Sequence, residues 1–438
     1  MRLALVLVPA SAKKGKVFMK KRIISFILAV ALVFGVLSMS SCYFIGDKLG
    51  SLGSLGTGTS GGDTEINVNG GDNYDITINS DASSDILAAS KALLSSVSVI
   101  CQFTKYSGLP MGNAGSGESY ASAGSGVIYQ LDKENGNAYI ITNYHVVYDS
   151  DANTSNHISN KINVYLYGQE YSDYAIDATY VGGSMLYDLA VLEVKNSVTL
   201  MKSAAVAADI ADSNKVSVLE TAIAIGNPES HGISATVGHI NVDSEYITMT
   251  ASDSKTSVEL RVIRTDAAVN HGNSGGGLFN RKGELIGIVN AKMADDSIDN
   301  IGYAIPSNVA KAIADNILYY CKDGTRECVV RVIMGITVKT SEAYTEYDKE
   351  TGKIYKRERI SVDSIEATSE VGAYLNIGDV INSITIDGVK YDVSRLFHVV
   401  DSMLNARAGS VVVMNVTRSG EVIEVTVPIT ASMLTEYK

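Results

Sequence analysis

From about residue 85 the chain alternates short apolar runs with turn residues, the period-two pattern of half-buried strands. A helix-like stretch, SDILAASKALLSS (84–96), leads into the strand VSVICQF (97–103). GVIYQLDKENGNAYIITNYHVV (126–147) reads as two strands joined at Asn135-Gly136, a hairpin signal, and GGLFNRKGELIGIVNA (276–291) as another turning at Lys282-Gly283. Many short strands with peripheral helices predict paired β-barrels or a sandwich up to about residue 310. The amphipathic helix SNVAKAIADNILYYC (307–321) closes that domain.

After Cys328 the pattern changes. RVIMGITV is a strand, and IGDVINSITIDGVKY is two short strands around Asp387-Gly388. SRLFHVVDSMLN is a helix with Leu396, Val399, Val400, Met403 and Leu404 on one face and Ser394 as its cap. The hairpin SVVVMNVTRSGEVIEVTVPI completes a small α+β module.

The N-terminus reads as targeting. Lys20 to Arg22 precede an apolar run from Ile23 to about Leu37, then small residues before Cys42. Met39-Ser-Ser-Cys42 resembles a bacterial lipobox, which puts lipid on Cys42; an uncleaved membrane anchor is the alternative, although the run is short for a span. Met19 is the expected true start, residues 1–41 the signal peptide and 42–84 a flexible tether. Nine glycines in residues 46–72 give the tether its character.

An apolar share of 46% and five prolines describe folded protein. Net charge is −12 with no basic block outside the N-terminus, which argues against nucleic acid as the partner. If Cys42 carries lipid, Cys101, Cys321 and Cys328 cannot all pair; a local 321–328 disulfide and two thiols both remain open. No Cys/His spacing resembles a zinc site, and neither metal nor cofactor is expected.

NHGNSGGGLFN (270–280) sets one serine among glycines. A serine hydroxyl becomes a nucleophile only when an oriented base takes its proton. His145 stands at the end of an apolar strand and Asp188 immediately before another, so the order His, Asp, Ser is available.

TNYHVV, YDLAVLEV, AIGNP, TDAAVNHGNSGGGLFN and NIGYAIPSN resemble, in order and spacing, segments of the HtrA (Deg) family of trypsin-fold serine proteases. IMGITV and LNIGDVINSITIDG resemble that family's PDZ domain. The resemblance implies a mainly β protein: a chymotrypsin-like double Greek-key β-barrel protease domain over 85–322, then a small α+β PDZ domain over 328–432. It makes Ser274 the nucleophile, His145 the general base and Asp188 its orienting carboxylate, with an oxyanion hole from the N–H groups of Gly272 and Ser274 around Asn273. The family often has Pro or another small or polar residue where His271 stands and Pro where Gly277 stands. Ala268 is expected at the base of the substrate pocket, His271 at its rim, and Ile301, Gly302 and Tyr303 on one wall, which predicts cleavage after small or medium aliphatic residues. Ile333, Met334, Gly335 and Ile336 would form the PDZ carboxylate loop. His157 and His398 are read as solvated.

Implied partners are unfolded or exported protein substrates, peptide C-termini at the PDZ groove, and further copies in a trimer or higher assembly. Implied location is outside the cytoplasm at the bacterial cell membrane, held by lipid or an N-terminal anchor. A catalytically inactive PDZ adaptor or holdase is the alternative function. Residues 103–126 are expected to be a mobile loop near the site that influences its switching.

Overall fold

The computed structural model describes residues 84–105, 118–170, 173–293 and 301–437. The signal peptide, Cys42, nearly all of the tether and most of the predicted 103–126 loop lie outside them. Among the described residues, no helix is long and apolar enough to cross a membrane.

Helix α1 (Ser84–Leu93) precedes a closed barrel of strands β1 (Ser96–Lys105), β2 (Glu118–Asp132), β3 (Asn137–Thr142), β4 (Lys161–Leu166), β5 (Ile176–Ser184) and β6 (Leu189–Val194), in the order β1-β2-β3-β6-β5-β4. A four-residue helix, α2 (Tyr144–Val147), follows β3. The second closed barrel runs β10 (Gly277–Phe279), β11 (Leu285–Val289), β12 (Gly302–Pro306), β9 (Ser257–Thr265), β8 (Ser234–Thr250), β7 (Thr221–Gly226). Both predicted hairpins form, with Gly136 and Gly283 at positive φ in their turns. The barrel alternative is the one adopted, because each sheet closes on itself and leaves no edge.

Strand alternation explains the cores. On β7, Ala222 and Ala224 point into the second barrel beside Ile240, Ile263 and Leu278. Ile223 and Ile225 point the other way, into a layer shared with Ile141, Leu189 and Val191 of the first barrel. Helix α3 (Ser307–Tyr320) lays Val309, Ile313 and Ile317 on that same layer. The two barrels are thus welded by apolar area, each fully buried Ile contributing about 1.5–3 kcal/mol.

The C-terminal module has a short pair, β13 (Val329–Val332) with β20 (Leu434–Tyr437). Its main sheet runs β14 (Ile336–Tyr347), β15 (Ile354–Ile365), β16 (Val380–Ile386), β18 (Val411–Arg418), β19 (Glu421–Pro428), with β17 (Val389–Asp392) on β16 and helix α4 (Leu396–Met403) packed against it. Asp387 and Gly388, both at positive φ, make the predicted turn.

Three readings are corrected. Residues 118–126 belong to β2 and pair with β1 rather than extending a loop. Ser394 does not cap α4: the helix starts at Leu396, whose N–H donates to Glu358 Oε2 on β15, 2.7 Å away. His398 is buried, not solvated, its Nδ1 accepting from the Ser394 N–H at 3.2 Å.

The cause of His398's burial is a second partner for α4. Arg261 of β9 lies with its guanidinium 4.1 Å from the Phe397 ring centre and 2.5 Å from Asp401. Arg395 reaches Asp243 of β8 at 2.9 Å, and Lys353 pairs with Glu220. The barrels and the module therefore form one compact unit with ion pairs of both polarities across their junction. Cys321 and Cys328 are buried thiols, the Cys321 S–H donating to the Cys328 carbonyl at 3.3 Å.

Candidate active site

His145 sits on α2, directly after β3 runs out at the barrel rim. Asp188 ends the turn entering β6 with φ 49°, a left-handed conformation that a non-glycine residue adopts only when its surroundings hold it. Here they do. The Asn143 side-chain amide donates to the Asp188 carbonyl at 2.8 Å, fixing the backbone. The carboxylate then grips His145 twice: Oδ1 accepts the His145 backbone N–H at 3.0 Å and Oδ2 faces Nδ1 at 2.7 Å. With the Asp188 side chain only 3% exposed, the imidazole is fixed in ring angle and in the Nδ1–H tautomer that leaves Nε2 as the acceptor.

A third ligand on this carboxylate was not legible in the sequence. Asn290, fully buried at the end of β11, donates its amide to Asp188 Oδ2 at 2.6 Å. A lone Asn after an apolar strand carries no signal for that role. The next residue, Ala291, donates its N–H to Ser274 Oγ at 3.2 Å. Consecutive residues thus tie the carboxylate and the hydroxyl to one strand end. Among the described residues no hydrogen bond joins Ser274 Oγ to the His145 ring.

The segment around Ser274 is a chain of tight turns. Asn273 N–H donates to the Asn270 carbonyl at 3.0 Å and Gly275 N–H to the Val289 carbonyl at 3.0 Å. The N–H groups of Gly272 and Ser274, on either side of Asn273, make no bond within the described residues, which leaves two donors for an incoming oxygen. Gly272 has φ +94°, and a Cβ there would overlap the Asn227 carbonyl and come within 2.9 Å of the Glu229 nitrogen. Gly275 has φ +85°, and a Cβ there would overlap the Ser125 carbonyl and the Thr142 hydroxyl, so a side chain would push Ser274 off β2. A buttress, also invisible to sequence, holds the turn from behind. Ser125 Oγ donates to the Gly272 carbonyl at 2.7 Å and accepts the Asn227 N–H at 2.8 Å.

The substrate-pocket residues are less tightly grouped. Gly302 is buried, and its missing Cβ would meet Val269 at 2.8 Å; Ile301 and Tyr303 are half-buried. The Tyr303 carbonyl accepts the Asn290 N–H at 2.9 Å, linking this wall to the Asp188 support. His271 is exposed, as expected of a rim. Ala268 is exposed where a pocket base would be covered, its carbonyl accepting from Thr236; the buried neighbours are Ala267 and Val269. Burial alternates residue by residue from 266 to 270, just after β9 ends, so a one-residue step moves a side chain from the covered side to the open one.

In the C-terminal module Ile333 is partly exposed, Met334 is buried, and Gly335 turns at φ +63° before Ile336 opens β14. The Met334 and Gly335 N–H groups make no bond within the described residues. The outer edge of β14 pairs with no other described strand.

Residues 124–288 match the trypsin-like peptidase domain, the stretch from β2 to β11 that holds all three candidate catalytic residues. The chain is 40% identical over 202 residues to the serine protease Do-like HtrA of Bacillus subtilis, covering 46% of this chain and 40% of the relative. It is 34% identical over 250 residues to the Do-like HtrA of Lactococcus lactis subsp. cremoris, covering 54% of this chain and 56% of the relative. Those two matches span about half the relatives' own length or less. A longer match, 31% identical over 318 residues and covering 71% of this chain and 68% of the relative, is to the Do-like HtrA of Lactobacillus helveticus. With the double barrel, the clamped histidine and the glycine cradle in place, the chain belongs to the HtrA family of trypsin-fold serine proteases.

Proposed function

We propose that the protein is a serine endopeptidase of the bacterial envelope acting on misfolded or exported proteins. The observation that carries this is the two-point grip of Asp188 on His145 beside a serine flanked by two unused N–H donors. Ser274 Oγ leaves its bond to Ala291, passes its proton to His145 Nε2 and attacks the scissile carbonyl carbon. Asp188 stabilises the imidazolium that forms. The carbonyl oxygen, now negative, takes the Gly272 and Ser274 N–H groups, donors worth about 3 kcal/mol of barrier each. His145 then returns the proton to the leaving amine, and water releases the acyl group by the same route.

The open edge of β14 and the two free N–H groups of Met334 and Gly335 support a PDZ-type role: an extended peptide adds as a strand with its carboxylate at the loop. Oligomerisation, export and anchoring through Cys42 or an N-terminal segment rest on the sequence and on family membership. Residues 1–41, 42–84, 85–322 and 328–432 are the proposed signal, tether, protease and PDZ divisions.

The unmade Ser274–His145 bond favours one second reading, an inactive adaptor or holdase that keeps the fold. A fluorophosphonate probe separates the two. The protease reading expects labelling of the wild type that vanishes in Ser274→Ala, together with peptide release from denatured casein. An unlabelled, folded wild type that only suppresses casein aggregation supports the holdase.

A further inference from the structure

A cavity of about 300 Å³ lies at the junction of the barrels and the C-terminal module, away from Ser274. Its walls are largely apolar, with Leu186, Val258, Leu260 and Val309 from the barrels and α3 facing Val400 of α4. At one side Arg331 of β13 is held in place by two rings, its guanidinium 4.6 Å from the Tyr437 centre and 5.6 Å from that of Tyr187. It makes no hydrogen bond or ion pair among the described residues, and its charge reaches only the buried carboxylate of Asp401, which also lines the cavity. The other guanidinium, that of Arg261, is already matched by Asp401. Glu259, also on the lining, is exposed, so its charge is largely screened by water.

Two guanidiniums, of Arg261 and Arg331, thus share one carboxylate, and a pre-oriented guanidinium with no direct partner at the edge of an apolar chamber fits one kind of ligand. Its head must be a planar anion that takes two of the five N–H donors, and its body must bury apolar area without hydrogen-bonding needs. We propose that this cavity is a binding site for an apolar monocarboxylate, held by Arg331 at its head and by Val258, Leu260, Val309 and Val400 along its body. Both a free fatty acid and an apolar peptide C-terminus present this chemistry. The site is separate from the Met334-Gly335 loop, none of whose residues lines the cavity.

The test is calorimetric titration of the full chain with octanoate and with acetyl-Ala-Val-Leu, each beside a neutral match, octanol and the peptide amide. Saturable binding of at least one acid is expected, at least tenfold tighter than its neutral match; the tighter acid names the source. Arg331→Gln is expected to weaken that acid at least tenfold, and Arg331→Lys to retain part of it. Val400→Trp, a change at a partly exposed position, fills the chamber and should abolish binding while leaving the melting temperature near wild type. Equal affinity for acid and neutral match, no saturable binding of either acid, or binding that survives both Arg331→Gln and Val400→Trp would overturn the proposal. Gly335→Ala keeps the two sites apart: octanoate binding lost in that variant, with Arg331→Gln unaffected, would place the ligand at the loop instead.

Discussion

At the residue scale, the site depends on how many bonds converge on one carboxylate. Asp188 accepts from His145 twice and from Asn290 once, at 2.6 Å for the amide. Replacing Asn290 with Ala leaves Oδ2 one donor short and the imidazole less firmly aimed. A loss of roughly 1–2 kcal/mol, about five- to thirtyfold, is expected in kcat/KM and carried mainly by kcat. The acidic limb of the pH–rate profile should move as well. Asn290→Ser, which restores a donor, should recover part of the rate; an unchanged kcat and pH profile in the Ala variant would rule out a positioning role. Gly272→Ala should be worse, because both the φ of +94° and the overlap with Asn227 forbid a side chain. We expect loss of fluorophosphonate labelling with the fold retained by circular dichroism.

At the element scale, α4 shows how a pattern misleads when an element has two partners. The stripe of Leu396, Val399, Val400, Met403 and Leu404 describes a helix with one apolar face. In the structure Val399 and Met403 enter the module core, Val400 is 37% exposed, and Phe397 and His398 are buried under the barrels. Burial first, then the nearby charges of Arg261 and Arg395, holds the His398 imidazole down to about 4 from its usual 6.5. Asp212 and Asp392 act in the opposite direction but do not win. The unfolded chain therefore binds a proton below pH 6.5 that the folded chain refuses until about pH 4. Stability is fully present above pH 6.5 and falls with acidification, by up to about 3 kcal/mol near pH 4. Denaturant unfolding of wild type and His398→Asn between pH 7.5 and 5 checks this: the wild type should lose more stability than the variant. Parallel curves would refute the assignment.

At the scale of the whole molecule, the junction is a charged seam with one buried pair. The Arg261 side chain is 4% exposed and that of Asp401 13%. Removing Arg261 leaves the buried Asp401 without a direct partner and with only the more distant charge of Arg331, so Arg261→Met should destabilise the chain by up to about 3–5 kcal/mol, read as a fall in the denaturation midpoint. Arg261→Met with Asp401→Leu should recover most of that loss, since a matched apolar pair costs little. The rim pairs, Lys353 with Glu220 and Lys356 with Asp243, are more exposed and should each change stability by less than about 1 kcal/mol. If Arg261→Met were neutral, the junction would not be a fixed contact.

Strand alternation and turn chemistry were sufficient to read the hairpins at Asn135-Gly136 and Lys282-Gly283, the helix 307–320, and the positions of His145 and Asp188 at strand ends, because these are set by neighbours a few residues away. The cradle around Ser274 was read only through the family resemblance, which singled out Gly272; the need for glycine at 272 and 275 is set by Asn227, Ser125 and Thr142, distant in the chain. What only the folded chain decided involves residues distant in sequence meeting in space. Asn290 became a support of Asp188, Ser125 and Asn227 became a buttress, Ala268 turned to the surface, and His398 was buried against a barrel whose strand β9 lies more than 130 residues earlier in the chain. Such contacts depend on the closure and relative packing of whole sheets, and no periodicity within a single segment encodes which side chain another sheet will bring to it.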